Sequence, residues 1–148
     1  MMLQEEESGR LRVKVTVSTS ITNGAETEVF DLVTFGTLHN KANADYLQYE
    51  ENDENGRINT IVKFTDTELM LMRSGSVKMK QTFQENMITL GYYESIYGRL
   101  EMQTDTKKMI REWDDTQKQG KIGLHYKLNM QGSDLGEYQM SIVYKEEA

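Results

Sequence analysis

Cysteine and proline are both absent from this chain of 148 residues. Without cysteine there can be no disulfide, no thiolate metal site and no cysteine nucleophile. The absence is also in keeping with a reducing compartment. Without proline, no strand edge can be guarded by a residue that lacks an N–H. Basic charge is scarce: 17 Lys and Arg stand against 24 Asp and Glu, a net charge of -7. That balance opposes general nucleic-acid binding. Long apolar runs are missing too. No segment approaches the ~18 apolar residues of a membrane-spanning helix, so no membrane partner is expected. The opening Met1-Met2-Leu3-Gln4-Glu5-Glu6-Glu7 is acidic and lacks the apolar region of a secretory signal, so a cytoplasmic location is expected. No Gly-rich phosphate loop, GxSxG elbow or HExxH motif occurs.

What is present is a period of two, the signature of half-buried strands. Leu11, Val13, Val15 and Val17 alternate with Arg12, Lys14 and Thr16. Asn23-Gly24 follows and signals a type I′ hairpin turn. Further strand-like runs cover 26–37, 43–50, 57–65, 68–73, 76–84, 87–93 and 97–106. Asn52 to Gly56, Asp66-Thr67 and Ser74-Gly75 separate the central ones. The clearest alternation runs from Lys121 to Met130, with Ile122, Leu124, Tyr126 and Leu128 on one face. Gly132 to Gly136 turns the chain, and Tyr138, Met140, Ile142 and Tyr144 alternate again. Residues 105–118 read either as a helix turn or as one long strand ending at Asp114-Asp115.

About ten strands joined by short turns predict an antiparallel all-β meander, an up-and-down barrel or a sandwich. Closure removes the two edges that an open sheet would expose. We therefore expect a single barrel domain of about 8–10 strands over residues 1–148, with residues 1–9 flexible.

The central stretch resembles the YwiB-like family, a group of bacterial proteins without an established activity. The residues that carry the resemblance are Tyr46-Leu47 with Tyr49-Glu50, Thr60-Ile61-Val62-Lys63, and Leu71 through Met79. Looser similarity extends from Leu100-Glu101-Met102 through the 121–144 hairpin. The resemblance implies a calycin-type barrel, the class that includes lipocalins and fatty-acid-binding proteins. It implies no activity.

Residues 57–80 form a basic island: Arg57, Lys63, Arg73, Lys78 and Lys80 against Asp66 and Glu68. If Ser74-Gly75 is a two-residue turn, Met70, Met72, Val77 and Met79 share one face. Leu69, Leu71, Arg73, Lys78 and Lys80 share the other. Val62 and Phe64 join the methionine face, and Ile61 and Lys63 the lysine face, if the preceding turn has an odd number of residues. The methionine face is the more apolar and is expected inside, because burying unpaired charge is costly. In the inverted arrangement Lys63, Arg73, Lys78 and Lys80 point into the lumen and require an anionic ligand. Gly75 is expected to supply positive φ for the turn.

The eight tyrosines suit barrel walls, and Tyr46 and Tyr126 are candidate ligand contacts beside the four cations. Met70, Met72, Met79, Met102, Met130 and Met140 are either core or the lining of an adaptable apolar pocket. Glu51-x-Asp53-x-Asn55-Gly56 has the form of half a calcium loop, but its twelfth position is Val62 where a bidentate Glu is required. His39 and His125 lack paired ligand spacing, so no metal site is expected. Asp114-Asp115 reads as a turn. Glu50, Glu101 and Asp105 form no recognisable catalytic pair. The sequence thus points to a non-catalytic barrel without cofactor that binds a small, partly apolar or anionic ligand. The alternative is an interaction module, a homodimer for example, acting through an outer basic-apolar face.

Overall fold

The structure is a computed structural model and describes residues 10–147. The sequence expectation for residues 1–9 lies outside the described residues. Ten antiparallel strands follow one another: β1 (Leu11–Asn23), β2 (Glu26–Lys41), β3 (Ala44–Asp53), β4 (Gly56–Phe64), β5 (Leu69–Gly75), β6 (Lys78–Phe83), β7 (Ile88–Ser95), β8 (Gly98–Asp114), β9 (Gln119–Met130) and β10 (Ser133–Glu146). Each strand pairs with the next, and β10 pairs with β1 from Val13–Glu146 to Thr22–Glu137. The sheet is therefore a closed up-and-down barrel, as the alternation predicts. Turns β1–β2, β3–β4, β5–β6, β7–β8 and β9–β10 gather at one end, the hairpin end; the remaining turns lie at the other.

The core is the set of alternate side chains that the pleat turns inward. Val13, Val15 and Val17 of β1, Ile122, Leu124 and Tyr126 of β9, and Ile142 and Tyr144 of β10 are all buried. Their neighbours Lys14, Lys121, Lys127 and Lys145 are exposed. Burying each large apolar side chain is worth roughly 1.5–3 kcal/mol, so the pattern fixes the facing of every strand.

The structure changes two local expectations and decides between the two readings of residues 105–118. The first hairpin turns at Gly24–Ala25, with positive φ at Gly24 alone, the type II′ rather than the type I′ arrangement. Residues 105–114 are the continuation of β8, paired to β9 as far as Asp114–Gln119, and not a helix. The Asp114 carboxylate ends that strand by accepting the Thr116 and Gln117 amides at 3.0 and 3.1 Å.

The other change concerns the central hairpin. Ser74 and Gly75 are not its turn: they continue β5 and pair with Asn59 and Ile58 of β4. Gly75, at φ 118, has no side chain to strike the Arg57 carbonyl that lies against it. The chain reverses at Ser76–Val77, and the β5–β6 ladder resumes at Arg73–Met79. That spacing differs by an odd number of residues from a Ser74-Gly75 turn, so it exchanges the faces of β5. Leu69, Leu71 and Arg73 point inward with Met79, Gln81 and Phe83, while Met70 and Met72 point outward. Val62 and Phe64 accordingly pair with Leu71 and Leu69 rather than joining Met70 and Met72.

Rings pack across the far end of the lumen. Tyr144 packs between Phe64, at 6.1 Å between centroids, and Trp113, stacked at 6.2 Å. Tyr144 can lie across the wall because its strand partner is Gly120. A Cβ there would fall inside the Tyr144 ring. Gly120→Ala is therefore expected to displace the ring and lower stability by about 1–3 kcal/mol. Denaturant unfolding checks this, and an unchanged midpoint contradicts the packing described.

Candidate lumenal site around Arg73

The interior differs at the hairpin end. A cavity of about 400 Å³ opens among β1, β2, β5–β10, lined by Arg73, Gln81, Tyr93, Tyr126, Tyr138 and Phe30. Met79, Met102, Met130 and Met140 line it together with Leu71, Leu128 and Leu135. Methionine is flexible and polarisable, so such a wall adapts to irregular shapes.

Arg73 is the only charged side chain among the described residues that line this space. Its Nε is buried and has no hydrogen-bond partner. None of the ion pairs among the described residues includes it. Two tyrosine hydroxyls lie within electrostatic reach. Burial raises the pKa of Tyr126, as does the neighbouring Tyr138, while the Arg73 charge and, after it, the Gln81 amide beside the Tyr126 hydroxyl offset part of the rise. Burial likewise raises Tyr49, again opposed by Arg73. Both phenols therefore stay protonated at neutral pH and can donate a hydrogen bond.

The positions of these groups are fixed by packing. Tyr126 meets Phe83 edge-on at 4.9 Å and stacks on Tyr138 at 5.0 Å. Gln81 Nε2 donates to Thr104 Oγ1 at 3.0 Å in a buried bond. One cation with neutral donors in an apolar surround is an arrangement that an anion would complement. No carboxylate or imidazole is among the described residues that line the cavity.

A second cavity, about 670 Å³, lies at the opposite end and also holds an arginine, Arg111. That guanidinium is already engaged. It donates to the Thr65 carbonyl at 3.0 Å and to Asp45 at 3.2 Å, and it lies over the Phe64 ring at 4.7 Å. Arg111 therefore has protein partners, whereas Arg73 Nε has none.

Of the six residues singled out in the sequence, Arg73 and Tyr126 line the lumenal cavity. Lys63, Lys78, Lys80 and Tyr46 do not: they stand on the outer face. The four cations thus do not share one face, because Arg73 alone has the inward parity. Lys63 lies over the Tyr46 ring at 5.9 Å, and Tyr46 stacks on His39 at 5.2 Å. Burial, then Arg10 and Lys41, lowers the pKa of His39. Among the methionines, Met70 and Met72 are outside the cavity. The expected outer basic-apolar face keeps its lysines, but Ile61, Met70 and Met72 are its apolar members, since Leu69 and Leu71 are buried inside. Tyr49, Gln81 and Tyr138 were not marked as site residues. Their alternation with buried neighbours was the available signal, and only the closed register shows which wall they face.

A family model described as "Domain of unknown function (DUF1934)" matches residues 15–142. The chain belongs to this family. It is 32% identical over 133 residues to the "Uncharacterized beta-barrel protein YwiB" of Bacillus subtilis (strain 168), covering 90% of this chain and 92% of that protein. It also superimposes on the crystal structure of the ywiB protein from Bacillus subtilis with a TM-score of 0.84 at 29% identity. That match covers 97% of this chain and 99% of the other. The DUF1934 family is thus a β-barrel family whose function is unknown, which agrees with the YwiB-like resemblance seen in the sequence.

Tyrosine titration tests the described interior. Burial raises Tyr126 and Tyr49, and pushes Tyr144 up to about 12. Because the neutral phenol is favoured in the fold, the stability these residues contribute is complete below pH 10. It falls as pH climbs from 10 toward 12, where the unfolded chain ionises first. Tyrosinate absorbance should therefore rise in two stages. The later stage belongs to the interior residues, which ionise together with loss of near-UV circular dichroism. A single stage near pH 10 with the fold intact contradicts the burial.

Proposed function

We propose that this protein is a non-catalytic binding barrel whose lumen takes a small, partly apolar, anionic ligand. The observation that carries this reading is the inward, unpartnered Arg73 guanidinium facing a cavity of about 400 Å³. That size falls within the roughly 300–1,000 Å³ of small-molecule sites. The ligand's acidic group would meet Arg73 and the Tyr126 hydroxyl. Its apolar body would lie along Met79, Met102, Met130 and Met140. The methionine wall and the single cation together favour a short amphiphile over a multiply charged metabolite, because a second charge would find no partner among the described lining residues.

The site has a stability signature. A half-buried cation whose Nε has lost water without gaining a partner opposes folding. Arg73→Met fills the same space without charge. It is expected to raise the melting temperature by about 2–4 °C, the equivalent of roughly 1 kcal/mol for a chain of this size. The same variant should lose displacement of anilinonaphthalene sulfonate by decanoate, while decanol should compete equally with both proteins. Thermal unfolding and fluorescence titration check the pair of outcomes. A destabilised variant that still binds decanoate as tightly as wild type removes Arg73 from the proposed site.

A further inference from the structure

The barrel wall has a gap. The β2–β3 ladder runs only from Lys41–Ala44 to Gly36–Tyr49, so Glu26–Phe35 of β2 is paired with β1 alone. Across the gap, the backbone ladder of Glu50–Asp53 of β3 is with β4 alone, and the Thr34 hydroxyl at the closed end of the gap donates to the Glu50 carbonyl at 2.8 Å.

The hydrogen-bonding direction of β2 follows from its two turns. A two-residue hairpin loop makes its closing pair, Asn23–Glu26, a hydrogen-bonded one. Alternate residues Glu28, Phe30 and Leu32 then bond to β1. Thr27, Val29, Asp31 and Val33 turn their N–H and C=O groups toward the gap. The Ala42–Asn43 turn at the other end, with both residues at positive φ, closes on Lys41–Ala44 and gives the same parity. Side chains on this edge are unusually apolar for a surface: Val29 is 61% exposed, Phe30 54%, Val33 58% and Phe35 56%. Such an edge invites strand addition, and no lysine or proline within Glu26–Phe35 blocks it.

The charge around the gap selects the occupant. Glu26, Glu28 and Asp31 lie on the strand, and Glu50, Glu51, Asp53 and Glu54 on the facing hairpin. The cation of that hairpin, Arg57, lies 4.0 Å from Glu50. A second copy pairing here would bring two sets of carboxylates together. Residues 1–9 carry Glu5, Glu6 and Glu7 and have the same sign. A strand from another protein in which β-branched apolar residues alternate with lysine or arginine fits both the backbone and the field. We propose that Glu26–Phe35 is a docking edge for such a basic extended segment, which adds as a strand between β2 and β3.

The test uses the full chain and a short capped peptide alternating valine and lysine, labelled for fluorescence anisotropy. Saturable binding that weakens with salt is expected, with slowed amide exchange at Thr27, Val29, Asp31 and Val33. The double substitution Glu28→Lys with Asp31→Lys, both exposed positions, should weaken binding by about tenfold or more. Val33→Pro removes an edge N–H without taking one from β1 and should abolish it. If Val33→Pro lowers thermal stability, the charge variant alone decides. Three results overturn the proposal. One is no saturable binding. Another is equal binding of a peptide N-methylated on one edge, which would show charge attraction without strand pairing. The third is a free protein that sediments as a dimer with Thr27–Val33 already protected, which would make a second copy the occupant.

Discussion

The ladder between β1 and β10 turns a ten-strand meander into a cylinder, and a cylinder has a fixed inside. Every strand must then commit alternate residues to the lumen, and a shift of one residue would send its apolar set into water. Arg73 is inside for this reason. Leu69, Leu71, Met79 and Phe83 share its face of the β5–β6 hairpin. Their burial is worth roughly 6–12 kcal/mol together. Desolvating one guanidinium costs several kcal/mol. The hydrophobic side of that comparison wins, and the cation is carried inward with it. A residue placed inside by its neighbours, without a partner of its own, is what a ligand can complete.

Closure is nearly but not wholly continuous. Between β2 and β3 the ladder stops at Gly36–Tyr49, and Phe30, which lines the lumenal cavity, is also 54% exposed at that gap. The cavity and the open edge therefore meet at one side chain. The two ends of the barrel differ for an equally local reason. At one end Gly120 lets Tyr144 lie across the lumen between Phe64 and Trp113, and Arg111 is satisfied by Asp45 and Thr65. At the other end four methionines leave space, and Arg73 faces it.

Period-two alternation made the all-β meander and nearly every strand legible before any coordinates, because a half-buried strand writes its facing into every second residue. Closure was inferable from the strand count and the edge argument. The register of the central hairpin was not. Ser74-Gly75 has the composition of a turn, yet Gly75 is needed where the Arg57 carbonyl passes close, so the glycine marks a backbone approach instead of a reversal. That single misplacement inverted β5 and grouped Arg73 with Lys78 and Lys80. The methionine face was expected inside because Met70 and Met72 are apolar; Leu69 and Leu71 are equally so, and hydrophobicity alone could not rank the two faces. Arg73 and Tyr126 were named as site residues, but Gln81 and Tyr138 join them only through contacts between strands distant in sequence.

The central claim is that the Arg73 guanidinium is an open position for an anion, and its Nε–H resonance reports on that position directly. In a nitrogen–proton correlation spectrum the account predicts a distinct Arg73 side-chain signal, absent from Arg73→Met, that shifts saturably as decanoate is added and does not respond to decanol. A signal that decanoate leaves unmoved while decanoate binds the barrel, or one that already shows slow exchange characteristic of a permanent internal partner, would contradict it.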